Sequence, residues 1–196
     1  MIKLPKMILA SASPRRAEIL RTAGWPFETR AVTIDESRRQ NEDAATYVTR
    51  LAREKAEAAA KQIAADVIIG ADTTVVIDDH ILEKPVDLMD AIRMLRLLNN
   101  RWHRVLTGVA VIKDEMTSTA HEITEVKFAA MSDDEINWYA TSGEPMDKAG
   151  AYAVQGRASL FIEEIRGDYW NIVGLPVRLV YKLVNERSGG KPLFLT

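Results

Sequence analysis

Two neighbouring arginines, Arg15 and Arg16, stand where the sequence predicts that a strand turns into a helix. The apolar residues 7–9 are typical of a buried strand, and Pro14 suits the first turn of a helix because its missing N–H group costs nothing there. Ser13 is small enough to bring its hydroxyl and backbone N–H close to a ligand. Because a helix N-terminus is electropositive, this spacing favours a bound anion, best of all phosphate, although a solvated surface corner has the same composition.

Two carboxylates further along the chain have the chemistry to bind a divalent cation or to accept a proton. Glu36 follows Asp35 at the end of a strand predicted over 27–34, where two adjacent acids are also typical of a solvated loop. Asp72 interrupts an apolar run, and a carboxylate in a buried strand is costly unless it meets a cation. Asp72 is therefore either hydrogen-bonded to a turn, or a metal ligand or general base.

Two lysines and one histidine are further candidates whose roles the pattern leaves open. Lys55 falls on the apolar stripe of a helix predicted over 43–65, so its ammonium either stays in solvent above a buried stem or binds phosphate in a cleft. Lys84 precedes Pro85 at the end of an element, where a phosphate contact is possible. His103 lies in a Trp-His-Arg segment and is interpreted as a positioning residue.

Strands and helices alternate to the end of the chain, which predicts a mixed α/β fold. Gly70 allows another part of the backbone to approach closely, and Asp78-Asp79 is typical of a tight turn into a second strand. Ser132 and Glu135 form a capping box at the start of a helix. Further strands are predicted over 67–69, 74–77, 105–112, 122–129 and 158–165, a loop over 168–173, and helices from Asp87 and from Gly174.

The composition is that of an ordinary globular chain. With 47% hydrophobic and 28% charged residues, 196 residues suffice for one substantial core. The formal charge of −2 provides no global basic field, and the absence of cysteine excludes disulfides, thiolate metal sites and cysteine nucleophiles. No apolar run is long enough for a membrane span and no signal-peptide pattern occurs, so we expect a cytoplasmic protein whose partners include neither a nucleic-acid polymer nor a membrane. The sequence also lacks a phosphate-binding P-loop, a dinucleotide fingerprint and a nucleophilic serine elbow.

Several motifs, in the same order along the chain, resemble those of the Maf family of nucleoside triphosphate pyrophosphatases. They are LASASPRRAEIL, the Asp-Glu pair at 35–36, LAREKA, GADT, the Lys-Pro pair at 84–85, HRVLTGV and EPMDKAGAYAVQG. The last of these is similar to the branch of the family that acts on dTTP and UTP. The resemblance runs from residue 7 to about residue 184, with one departure at Asn99-Asn100, where the family carries Ser-Gly.

The resemblance implies a role for each matched residue. Asp72 corresponds to the family's proton acceptor, and Glu36 and Asp72 would bind Mg²⁺ or Mn²⁺. The residues matched to phosphate binding are Ser13, Arg16, Lys55, Lys84 and Lys148. Those matched to the choice of base are Arg15, Thr73 and Gln155, and an amide such as Gln155 can pair with the O4 and N3–H groups of thymine or uracil.

The resemblance also implies a fold, a reaction and a partner. The expected fold is mixed α+β and Maf/ITPase-like, a single domain over 1–196 in which an elongated mixed β-sheet flanked by helices forms two lobes with a central cleft, followed by a frayed tail over 186–196. The expected reaction is hydrolysis of a nucleoside triphosphate to the monophosphate and diphosphate, and a homodimer is expected because the family commonly forms dimers. The alternative is a nucleotide-binding regulator of septum formation with little turnover.

Overall fold

The computed structural model describes residues 5–186, which form seven β-strands and six α-helices. The strands are β1 (Met7–Ala10), β2 (Phe27–Thr29), β3 (Val67–Ile77), β4 (His80–Leu82), β5 (Trp102–Lys113), β6 (Met116–Phe128) and β7 (Ile162–Arg166). The helices are α1 (Pro14–Thr22), α2 (Ala44–Ala60), α3 (Leu88–Leu98), α4 (Asp133–Ala140), α5 (Tyr169–Val173) and α6 (Val177–Glu186).

All seven strands belong to one mixed sheet. Its strand order is β2-β1-β3-β5-β6-β7, and β4 pairs with β3 outside this path. β1 runs parallel to both β2 and β3, whereas β3–β4 and β6–β7 are antiparallel pairs. The predicted mixed α/β class with a mixed sheet and flanking helices is therefore confirmed.

The chain divides into two compact units. Unit 1 comprises the chain up to Asp72, Thr107–Glu122, and the segment from Gly174 onwards. Unit 2 comprises Thr73–Leu106 and Ile123–Val173. Three of the four boundaries fall inside β3, β5 and β6, so these three strands contribute residues to both units, and the fourth follows α5 at Val173.

The core of unit 1 is built on close contact between α2 and the sheet. A Cβ atom on Gly70 of β3 would lie 2.1 Å from the carbonyl oxygen of Ala52, and one on Gly108 of β5 would lie 2.2 Å from that of Val48. The close approach predicted at Gly70 is thus confirmed, and it is possible because glycine has no side chain. The small residues of α2, such as Ala56, pack in the same apolar cluster as β1. The backbone of α2 therefore packs directly on β3 and β5.

The core of unit 2 surrounds α3, α4 and the ends of β5 and β6. The hairpin at its edge turns through Asp78 and Asp79, whose φ angles of 47° and 60° match the two-residue turn predicted there. The capping box is also confirmed, since the Ser132 side chain accepts from the Glu135 backbone and the Glu135 carboxylate accepts from the Ser132 N–H.

Several predicted boundaries were wrong, each for a local reason. The strand predicted over 27–34 stops at Thr29 because its partner, β1, has only four residues. The helix predicted over 43–65 stops at Ala60, since Asp66 must already bond to the carbonyl of Lys6 as the chain enters β3. The two strand segments predicted over 67–77 form one continuous strand across Asp72.

The last third of the chain shows the same kind of correction. Residues 158–161, the first half of the strand predicted over 158–165, belong instead to a 3₁₀ helix (Arg157–Phe161) in which Ala158 and Phe161 are buried at a spacing of three. The loop predicted over 168–173 contains helix α5, because Asp168 Oδ1 accepts from the N–H of Trp170 and caps it. β6 begins earlier than predicted, at Met116. Apart from Glu186, the tail predicted over 186–196 lies outside the described residues.

Candidate functional site

Lys55 is the centre of a charged cluster in unit 1. Its ammonium nitrogen lies 2.7 Å from Asp72 Oδ1 and 2.7 Å from Glu36 Oε1. The Lys55 and Asp72 side chains are only 11% and 13% exposed, whereas that of Glu36 is 55% exposed. The predicted helix face therefore carries Lys55 inward, and the ammonium pairs with both predicted metal ligands rather than staying in solvent.

Burial and charge act in opposite directions on Asp72. Loss of solvent raises the pKa of the Asp72 carboxyl, while the positive charges of Lys55 and Arg16 lower it and the negative charge of Glu36 raises it. A carboxylate whose pKa is raised above its usual range is a stronger base than an exposed one. The geometry is thus consistent with proton acceptance by Asp72, and it excludes the alternative in which Asp72 merely caps a turn, since Asp72 lies inside β3 and bonds to Lys55.

The N-terminus of α1 has the predicted form and adds a cation to the cluster. Ser13 is the N-cap residue, and its hydroxyl accepts from the backbone N–H of Arg16 at 3.5 Å. The Arg16 side chain donates from Nε to the carbonyl of Gly174 at 2.8 Å and from Nη1 to Ser11 Oγ at 3.2 Å. Burial lowers the pKa of the Arg16 guanidinium, and Asp72 and Glu36 raise it. Arg15 occupies the same first turn and is half-buried.

The loop that carries Glu36 is held by contacts that the sequence did not indicate. The Tyr47 hydroxyl donates to the carbonyl of Glu36 at 2.9 Å. Arg50 donates to the carbonyl of Ser37 at 3.0 Å and to both carboxylate oxygens of Glu42 at 2.6 and 2.8 Å. Both Arg50 and Glu42 are buried, and the ion pair lowers the pKa of Glu42 to about 2. Three residues of α2 (Tyr47, Arg50 and Lys55) therefore contact either this loop or Glu36 itself.

Unit 2 contains the other predicted site residues. Thr73 directly follows Asp72 in β3 and is half-buried, while Lys84 is exposed in the turn after β4. The Lys148 ammonium donates to the carbonyl of Glu144 at 2.7 Å and also pairs with Asp147. Gln155 is exposed in a turn closed by a hydrogen bond from the Gly156 N–H to the Ala153 carbonyl at 3.0 Å. The N–H of Gly150 donates to the carbonyl of Glu83, which joins the segments that contain Lys148 and Lys84.

His103 is buried and acts within the core of unit 2. Its Nε2 lies 2.8 Å from the Tyr152 hydroxyl, and its ring packs edge-on against Phe128 and Tyr152. Burial lowers the pKa of His103 to about 4, so the ring is neutral at pH 7. These contacts agree with the interpretation of His103 as a positioning residue.

Glu36 and Asp72 are the predicted metal ligands. Within residues 5–186, no set of three or more His, Asp or Glu side chains forms a metal-binding group. Glu36 and Asp72 nevertheless share one cation, the Lys55 ammonium, through one oxygen each. Mg²⁺ is commonly bound through one or two carboxylates together with substrate phosphates, so this pair of oxygen donors fits a divalent cation that the substrate helps to hold.

The site residues that the sequence reasoning missed are those that position others. Ser11 orients Arg16, and Tyr47, Glu42 and Arg50 hold the Glu36 loop. Helical spacing offered one signal for Arg50, which lies three positions after Tyr47 and therefore on the same side of the helix. In the part of the chain that the structure covers, no helix is long and apolar enough to cross a membrane.

Comparison with known proteins shows the fold and the family to which this chain belongs. The solved structure of the Staphylococcus aureus Ham1 protein superposes with a TM-score of 0.52, covering 93% of this chain and 99% of that chain at 13% identity, which shows a shared fold. The sequence pattern of the family described as Maf-like protein matches residues 6–187. The chain belongs to the Maf-like protein family.

Two relatives illustrate the similarity within this family. A protein of Symbiobacterium thermophilum named dTTP/UTP pyrophosphatase is 44% identical over 97% of this chain and 97% of its own length. A protein of Koribacter versatilis with the same name is 48% identical over 93% of this chain and 94% of its own length. The similarity therefore extends over nearly the whole of each chain.

Proposed function

We propose that this protein is a nucleoside triphosphate pyrophosphatase that hydrolyses dTTP and UTP to the monophosphate and diphosphate. The observation that carries the proposal is the cluster in which Lys55 pairs with Glu36 and Asp72, with Arg16 in their electrostatic field. Relatives more than 40% identical over nearly their whole length are named dTTP/UTP pyrophosphatase, which supports this substrate choice.

In unit 1 the cations neutralise the triphosphate and the acid activates water. Arg16 and the hydroxyl of Ser13 bind phosphate oxygens at the N-terminus of α1, and Lys55 of α2 contributes a second cation. Asp72 takes a proton from the water whose oxygen bonds to the α-phosphorus, the bond from that phosphorus to the bridging oxygen breaks, and diphosphate leaves. Burial raises the pKa of Asp72 and makes it a stronger base, while the positive charges of Lys55 and Arg16 favour the ionised form that accepts this proton.

Glu36 and Asp72 would hold the divalent cation, Mg²⁺ or Mn²⁺, which supplies charge neutralisation at the phosphate oxygens. In unit 2, Lys84 and Lys148 are proposed to contact phosphate. Thr73 and Gln155, together with Arg15 of unit 1, are proposed to select the base. The predicted cytoplasmic location and homodimer stay predictions.

The test of this function is diphosphate release from purified protein. Wild type should release diphosphate from dTTP and UTP in the presence of Mg²⁺ or Mn²⁺, and Asp72→Asn should reduce kcat by about 10²–10⁴-fold because the proton acceptor is lost. Asp79→Asn is the matched control, since Asp79 is 99% exposed at the tip of the β3–β4 hairpin.

The two candidate functions differ in this assay. Nucleotide binding by wild type without turnover of any triphosphate would contradict the enzyme and favour the regulator of septum formation. Equal activity of Asp72→Asn and Asp79→Asn would remove Asp72 from catalysis.

A further inference from the structure

We propose that Glu144, together with Tyr139, is a positioning residue that fixes the segment carrying Gln155 and thereby sets the preference for pyrimidine nucleotides. The inference rests on the proposed function, since it concerns the choice of substrate by that enzyme. It assigns a role to two residues of unit 2 that neither bind phosphate nor contact the reacting atoms.

The carboxylate of Glu144 holds the chain on the C-terminal side of Gln155. Its Oε1 accepts from the backbone N–H of Arg157 at 3.0 Å, and its Oε2 is 3.2 Å from the same nitrogen. Oε1 also accepts from the Tyr139 hydroxyl at 2.9 Å. Hydrogen bonds to an ionised acceptor are stronger than those between neutral groups.

The hydroxyl of Tyr139 holds the chain on the other side of Gln155. Its oxygen accepts from the backbone N–H of Ala153 at 3.2 Å. The backbone N–H groups two residues before and two residues after Gln155 are therefore anchored to one Tyr139–Glu144 pair. A turn that is held at both ends in this way presents its central side chain in a fixed direction, which reading the edge of a base requires.

Glycine at position 156 is required for this arrangement. A Cβ atom there would lie 2.4 Å from Glu144 Oε1 and 2.5 Å from Oε2, so any larger residue would displace the carboxylate. The Gln155 side chain next to it is exposed and available to a ligand. Packing thus fixes the backbone of the turn while Gln155 stays accessible.

Burial fixes the direction of the hydrogen bonds. Tyr139 is fully buried, with its ring against Phe161, and burial raises the pKa of its hydroxyl well above the usual range. The hydroxyl consequently stays protonated, donates to Glu144 and accepts from Ala153. The carbonyl of Glu144 also accepts from the Lys148 ammonium. Glu144 therefore contacts both the turn that carries Gln155 and Lys148, which is proposed to bind phosphate.

The experiment compares kcat/KM for UTP with kcat/KM for ATP in wild type and variants. Glu144→Ala removes the acceptor for both Tyr139 and Arg157, and we expect the UTP:ATP ratio to fall by about tenfold, the equivalent of one lost hydrogen bond. Glu144→Gln keeps an oxygen at the same place and should restore most of the ratio. Glu163→Ala, an exposed glutamate of β7, is the matched control and should leave the ratio unchanged.

A second variant covers the case in which Glu144→Ala does not fold. Tyr139→Phe keeps the buried ring and removes only the hydroxyl, so it should lower the ratio in the same direction. A variant that lowers kcat/KM for both nucleotides equally would overturn the proposal, because a merely structural residue would act in that way. If Gln155→Ala lowers the ratio while Glu144→Ala and Tyr139→Phe leave it intact, the proposal is also overturned but the proposed function stands. Absence of UTP turnover in wild type would overturn both.

Discussion

The two units hold their functional residues in different ways. Unit 1 relies chiefly on opposite charges, with Lys55 between Asp72 and Glu36 and with Arg50 against Glu42, and the Tyr47 hydroxyl adds one neutral contact. Unit 2 uses buried tyrosine hydroxyls, one between Glu144 and the Ala153 backbone and one against His103. Charge pairs suit a region proposed to bind a triphosphate and a cation, because those ligands bring charges of their own. Tyrosine hydroxyls suit a region proposed to distinguish neutral bases, where the position of an amide matters more than net charge.

The buried ion pair of unit 1 should give the largest loss of stability. Arg50→Met leaves the Glu42 carboxylate without its cation in a buried place, and removal of one partner of such a pair costs about 3–5 kcal/mol. Arg53→Met is the matched control on the same helix, because Arg53 is 51% exposed and its loss should change stability by less than about 0.5 kcal/mol. The measurement is unfolding in urea, and equal destabilisation by both variants would contradict a special role for the Arg50–Glu42 pair.

The same pair should make unit 1 sensitive to strong acid. The pKa of Glu42 falls from its ordinary 4.5 to about 2 in the folded protein, so the unfolded chain binds the proton first as the pH drops. The stabilisation is complete above pH 4.5 and is lost as the pH falls toward 2, by about 3 kcal/mol. Glu42→Gln should remove this dependence, as measured by urea unfolding at several pH values, and an unchanged slope between pH 4.5 and 2 would contradict the assignment.

The stability of unit 2 should begin to fall at a higher pH than that of unit 1. The pKa of His103 falls from 6.5 to about 4 on burial, so protonation favours the unfolded chain. Stability should be highest above pH 6.5 and decline by about 3 kcal/mol as the pH falls toward 4. His103→Gln keeps a polar group near Tyr152 without this titration and should flatten the curve in this window alone. If Glu42→Gln also removed the loss of stability between pH 6.5 and 4, the contrast between the units would fail.

The smallest effect is expected at the tyrosine bonded to His103. Tyr152→Phe removes only a hydroxyl 2.8 Å from His103 Nε2 and leaves that buried nitrogen without its partner, which costs about 1–3 kcal/mol. Tyr169→Phe provides the control, since Tyr169 is 40% exposed. The difference in melting temperature between the two variants measures the bond, and identical values would show that the hydroxyl contributes nothing.

The sequence predicts best those features that depend on near neighbours along the chain. The capping box at Ser132, the turn at Asp78-Asp79 and the start of α1 at Pro14 all depend on residues at most three positions apart. Helical periodicity placed Lys55 on the apolar face of α2, but it left open whether its ammonium stays in solvent or enters a cleft. Motif resemblance added the proposed roles of Glu36 and Gln155, which no local pattern contains.

Features that join distant parts of the chain could not be predicted. Arg50 and Glu42 are ordinary charged residues in a charged stretch, and only the folded chain shows that both are buried. The contacts of Glu144 with Arg157 and Tyr139 depend on how a 3₁₀ segment folds back, which periodicity does not encode. The length of β2 depends on how much of β1 is available as a partner, a property of the sheet rather than of residues 27–34.

The bond from Arg16 to the carbonyl of Gly174 has a consequence for biosynthesis. Its two residues are separated by 158 positions, and both belong to the unit whose chain segments come from the beginning, middle and end of the sequence. The ribosome synthesises a chain from its N-terminus, so Arg16 emerges long before the Gly174 carbonyl that orients it. Unit 1 therefore completes its folding only after Gly174 has emerged from the ribosome, and a nascent chain that stops short of Gly174 lacks the acceptor that holds the proposed phosphate-binding arginine in place.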